Sequence, residues 1–111
     1  MDERSTDTQD LAVLAEESAL SVPGVYALGT RGVVRKAQDI LRRESNPVRG
    51  VRLTDDGDQG VSVDLYLIVR YGTTIPEVAW NVQKQVTQEL EAVPDVKLKE
   101  VNIHIQGVHA E

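Results

Sequence analysis

Residues 61–108 alternate in polarity, then repeat with a helical period, then alternate again, and that order leaves few folds open. In the run VSVDLYLIVRY, Val61, Val63, Leu65, Leu67 and Val69 fall on one side of an extended chain. Ser62, Asp64, Tyr66, Ile68 and Arg70 fall on the other, because successive strand side chains point to opposite faces. One apolar face and one mixed face describe a sheet covered by helices on a single side. Gly72 closes the strand. Ile75, Val78, Ala79, Val82, Val86, Leu90 and Val93 then recur at the intervals of a helical stripe. Thr74 offers an N-cap and Glu77 completes a capping-box pattern, with Pro76 tolerated in the first turn. Pro94-Asp95 ends the helix, and Val101, Ile103 and Ile105 oppose Asn102, His104 and Gln106 in a last strand.

Upstream the pattern is looser. Residues 1–7 are polar and are expected to be a flexible N-terminus, leaving 8–111 as a single domain. From 8 to 21, Leu11, Ala12, Leu14, Ala15 and Ala19, continued by Val22, fit a helical stripe. Val22-Pro-Gly-Val25 ends it, and 25–28 reads as a short strand. A basic amphipathic helix is expected over 31–44, with Val33, Val34, Ala37, Ile40 and Leu41 on one arc. Asn46-Pro47 is expected to stop it before a strand over 48–54, and Asp56-Gly57 lies in a hairpin-type connection.

The chain is one domain by length, large enough for a modest core. It has no Cys and no Phe, so disulfides and thiolate metal sites are excluded and the core must be Val, Leu and Ile. No apolar run reaches the length of a membrane span, and the N-terminus does not read as a signal peptide, so the expected location is cytoplasmic. The net charge of −6 disfavours nonspecific nucleic-acid binding. That charge is uneven: residues 31–52 hold seven basic side chains against Asp39 and Glu44, a balance of +5, and the rest carries −11. Such a dipolar chain suggests a local contact surface.

Chemistry is hard to find. The acidic loop 55–60 (DDGDQG) fails the spacing of a calcium loop, since the fifth position from Asp56 is Gly60 and no closing Glu follows. His104 and His109 have no carboxylate at ligand spacing on their own element. No Ser stands in a nucleophile elbow, and no Gly-rich loop cradles phosphate. No catalytic, cofactor-binding or metal-binding residue is assigned, and an enzyme is not expected.

Two features exceed what packing requires. Trp80 lies roughly 100° from the middle of its helix's apolar stripe. It either folds over the helix edge to cover the sheet margin or anchors a protein partner, as interface Trp residues do. Tyr66 and Ile68, on the mixed strand face, extend the same surface in the second reading. The basic helix is either an ordinary core helix with a solvated basic face or an attachment to an anionic surface through Arg35, Arg42 and Arg43.

Val63-Asp64, Tyr71-Gly72, Ile75-Pro-Glu-Val-Ala79, Val82-Gln83, Val86 and Glu100-Val-Asn-Ile-His-Ile-Gln-Gly-Val108, in that order, resemble the alkaline shock protein family of bacterial envelope stress response proteins. Val22-Pro-Gly-Val25 and Gly50-Val51 resemble it too. The resemblance implies an α+β domain without enzymatic activity. It also implies self-association, or a place at the inner face of the cell membrane through a membrane-anchored protein partner.

The expected architecture is therefore a two-layer α+β domain, a small and mostly antiparallel sheet with helices packed on one face. The expected function is a non-enzymatic structural or interaction protein. A small RNA-binding module is the alternative, since α+β sheets with a basic helix bind RNA. The acidic balance and the lack of an aromatic pair on one strand weigh against it, and no nucleic-acid partner is expected.

Overall fold

A computed structural model describes residues 8–29, 44–48 and 50–110. The elements run α1 (Thr8–Leu20), β1 (Val25–Leu28), β2 (Glu44–Val48), β3 (Val51–Asp55), a single 3₁₀ turn (Gly57–Gln59), β4 (Val61–Arg70), α2 (Ile75–Glu91) and β5 (Leu98–His109). The protein is α+β: one five-stranded sheet with both described helices against one face and against each other. The flexible N-terminus expected over 1–7, and all but the last residue of the expected basic helix, lie outside the described residues.

β4 is the hub. One of its edges pairs β5 in parallel from Val61 to Arg70. The other is shared end to end, β3 taking Val61 to Leu65 and β1 taking Leu67 to Val69, both antiparallel. The single parallel pairing follows from α2, because two parallel neighbours need a crossover connection and the helix supplies it. Its presence keeps the sheet mostly, but not wholly, antiparallel.

The alternation read from β4 translates directly into layers. Val63, Leu65, Leu67 and Val69 are buried beneath the helices, joined by Val51, Leu53 and Val101 from the flanking strands. From α2 the stripe Val78, Val82, Val86 and Leu90 descends onto them. α1 contributes Leu11 and the small residues Ala12, Ala15 and Ala19, all buried, which let it lie close against its neighbours. This core has no aromatic ring.

Gly24 fixes how the first strand enters this arrangement. It has φ +99, and a Cβ there would stand 2.7 Å from Val78 Cγ2 on α2. Its carbonyl accepts from the Arg70 amide at 2.8 Å, tying the turn to the end of β4.

Three expectations fail between residues 44 and 55. The strand anticipated over 48–54 is divided between β2 and β3, which meet as an antiparallel pair at Val48↔Val51. Gly50 makes the reversal possible with φ +83, where L side chains are strained. A Cβ on it would lie 2.6 Å from the Gly29 carbonyl oxygen, and its own carbonyl accepts from the Tyr66 amide at 2.9 Å. Glu44, expected as the last residue of a helix, begins β2. Asn46-Pro47, expected as a helix stop, sits inside that strand where the register shifts between Ser45 and Val48. Proline is tolerated there because β2 pairs only β3 among the described strands and the ladder is already interrupted.

A smaller difference concerns the start of α2. Thr74 is its N-cap but makes no side-chain capping bond, so the capping box is not closed. Pro76 at the second position has no N–H to offer. Thr73 turns back instead, its hydroxyl donating to the Arg70 carbonyl at 2.8 Å.

Candidate functional site

The sheet face without a described helix is built from the mixed side of β4. Asp64 is at its centre. It faces Arg52 on β3 and Asn102 on β5. Its carboxylate oxygens reach His104 Nε2 at 2.9 Å and Arg52 Nε at 4.0 Å. The His104 ring in turn stacks on Tyr66, centroid to centroid 4.6 Å with the planes 13° apart. Asp64 and His104 are forty residues apart in sequence and belong to different strands. Only the parallel β4–β5 register brings them together.

A second stack lies toward the other end. His109 packs on Tyr26 at 3.8 Å, the planes 10° apart, and the Arg70 guanidinium lies 5.4 Å from the Tyr26 ring centre, within cation–π range. At the opposite end Lys99 Nζ meets Asp56 Oδ2 at 3.1 Å, and the Ser62 hydroxyl faces the same oxygen at 3.5 Å. These groups border a polar hollow of about 260 Å³ with Arg52, Thr54, Asp64, Glu100 and Asn102.

The arrangement can hold a conformation. The nearby Ser62 hydroxyl is turned to Asp56. Among the described residues no group of three His, Cys, Asp or Glu side chains could hold a metal ion. The Asp64–His104–Tyr66 unit knits β4 to β5 across the sheet surface.

The residues singled out from sequence separate. Trp80 stands 61% exposed on α2 and lines a groove of about 550 Å³. The helix side of this groove is Pro76, Ala79, Trp80 and Gln83, and its other side is Val101 to His104 along β5. The Gln83 side-chain amide spans it, donating to the Val101 carbonyl at 2.9 Å. Trp80 therefore sits over the sheet margin without being covered by it. Tyr66 is 8% exposed with its ring under His104, so the histidine presents the surface on its behalf. Ile68 is half-buried beside Gly107, whose missing side chain leaves it flanked by bare backbone. His104 lines the same groove as Trp80, so it, rather than Tyr66 or Ile68, links the helix to the open face. Arg35, Arg42 and Arg43 lie outside the described residues.

His104 and Asp64 were the pair that sequence reading missed. Each occurs at an even position on the mixed face of its strand, a signal visible in the alternation. Pairing them needed the strand order.

The fold and this surface define a small α+β protein whose distinguishing features are a groove at a sheet margin and an exposed tryptophan. The chain belongs to the alkaline shock protein 23 family, which is described by a cell envelope-related function and whose model matches residues 2–110. It is 33% identical over 98 residues to the uncharacterized protein YloU of Bacillus subtilis, covering 88% of this chain and 81% of that one. An uncharacterized Streptococcus pyogenes protein is 32% identical over 101 residues, 91% of this chain and 74% of its own length. The uncharacterized protein YqhY of Bacillus subtilis is 33% identical over 101 residues, covering 88% and 70%. No solved structure matches. Among the described residues no helix is long and apolar enough to cross a membrane.

Proposed function

We propose that this protein is a non-enzymatic structural or interaction protein of the bacterial envelope stress response. It works from the cytoplasmic side of the membrane, by self-association or by docking to a membrane-anchored partner. Trp80 carries the reading. A large ring 61% exposed on a helix whose apolar stripe Val78, Val82, Val86 and Leu90 is buried contributes little to its own fold, and it borders a groove. Tryptophan at such a position is the residue type that most often dominates a protein interface. The family's cell envelope-related function supports the location.

The test is fractionation of cells producing wild type or Trp80→Ala. The wild-type protein is expected in membrane-bound or higher-mass fractions, and the variant, folded by circular dichroism, is expected to move to the soluble, low-mass fraction. An unchanged distribution of the variant refutes the role given to Trp80.

A further inference from the structure

The outer strands of this sheet are not alike. β1 has four residues, and β2 has five, with Pro47 and a register shift inside it. Short, proline-bearing or irregular edges resist pairing with other chains. β5 has twelve residues and no proline, pairs only β4 among the described strands, and keeps unbroken register from Ser62↔Glu100 to Leu67↔Ile105. Its apolar row is half covered: Leu65 and Leu67 are fully buried, whereas Ile103 and Ile105 beside them are partly exposed. The exposed Trp80 overhangs the same margin. A long regular edge, an incompletely covered apolar row and a bare aromatic ring thus coincide.

We propose that a second copy of this chain pairs its β5 antiparallel with this edge, about a two-fold axis at Asn102, joining two five-stranded sheets into one. This rests on the self-association proposed above and supplies its interface. The centre of the strand, Glu100 to His104, is self-complementary in that register. Residues directly opposite in an antiparallel pair share a face, so the axis sets Glu100 against the partner subunit's His104, twice over, on the face that carries Asp64. On the helical face it sets Val101 against the partner subunit's Ile103. Moving the axis one residue, to Ile103, would place Glu100 against Gln106 and lose the two Glu100–His104 pairs. The Val101 carbonyl, now held by Gln83, would accept from the partner subunit's Ile103 amide as Gln83 swings aside. Gln83 is thus a plug on the edge of the single chain.

The chain has no cysteine, so Asn102→Cys introduces one thiol. Opposite its own copy, residue 102 forms the non-hydrogen-bonded kind of pair, with Cα atoms about 4.5 Å apart, within disulfide reach. Full-length Asn102→Cys is expected to form a covalent dimer under mild oxidation, while Gln88→Cys on the exposed side of α2 does not. Unmodified protein is expected to sediment as a dimer, and Ile103→Lys to raise its dissociation constant roughly tenfold or more. If Ile103→Lys loses its circular dichroism, the cysteine pair decides alone. An assembly that ignores Ile103→Lys and does not link through residue 102 overturns this interface and leaves self-association standing. A monomer at every concentration, with no link, overturns both, and an extended segment of another protein becomes the candidate for the groove.

Discussion

Replacing Gly24 by alanine tests how the core and the entry of β1 are joined. Two costs add at this position. The backbone has φ +99, which an L side chain enters at about 1–2 kcal/mol. The new methyl would then lie 2.7 Å from Val78 Cγ2 and 3.3 Å from Thr73 Cγ2. Val78 is buried on α2 and cannot turn to solvent, so relief requires a backbone shift of the overpacking kind, costing about 1–3 kcal/mol. The expected loss is about 2–5 kcal/mol, a large share of a small domain's usual 5–15 kcal/mol. Gly72→Ala is the matched control: its φ is +91, and a Cβ there has nothing within 4 Å, so it bears the backbone cost alone. Urea unfolding followed by far-ultraviolet circular dichroism measures both. Tryptophan fluorescence is a poor probe because Trp80 is already exposed. Val78→Ala in the Gly24→Ala background removes the clashing methyl groups and should restore part of the packing loss, read as a coupling in a double-mutant cycle. If Gly24→Ala costs no more than Gly72→Ala, or Val78→Ala restores nothing, the packing argument is wrong.

Two further outcomes follow from contacts seen or absent. Thr74→Ala should change unfolding free energy by less than about 0.5 kcal/mol, because its side chain makes no cap bond, whereas a working cap is worth about 0.5–2 kcal/mol; a loss above about 1 kcal/mol in urea unfolding would show that the cap forms in solution. Asp64→Ala and His104→Ala should couple by no more than about 1 kcal/mol in a double-mutant cycle at neutral pH, since the pair joins adjacent strands with the His104 side chain 45% exposed. Strict additivity of the two would remove the pair from the account of how β5 is held.

The β4–α2–β5 unit was legible because its apolar residues keep one period at a time, and the family's residues lie along it. The stripe Val78, Val82, Val86 and Leu90 is buried as its spacing implies, and so are Val63, Leu65, Leu67 and Val69. The segment before β4 was harder for an identifiable reason. Pro47 reads as a helix stop when its place is an edge strand with a register shift, and Arg49-Gly50 is none of the stronger turn dipeptides although Gly50 has a left-handed backbone. The parallel pairing of β4 with β5, and hence the meeting of Asp64, Tyr66 and His104, depends on strand order. Alternation gives each strand its faces but says nothing of its neighbours. Trp80 could be placed off the stripe by angle alone. Whether the sheet margin covered it required the position of β5.

The central place of β4 also orders the assembly of the molecule. Its antiparallel neighbour β3 arrives across only the short turn of residues 56–60, a closure costing about 1.4 kcal/mol of chain entropy beyond a constant. β5 must close across residues 71–97, which as a flexible connection would cost about 2.9 kcal/mol on the same scale. α2 lowers that cost by shortening and stiffening the path before the strand docks. β5 thus joins later than β3, and its register is the one that unites aspartate and histidine. Until it arrives, β4 offers a bare hydrogen-bonding edge of its own, and this is the interval in which a chain of this design is most exposed to pairing with the wrong strand.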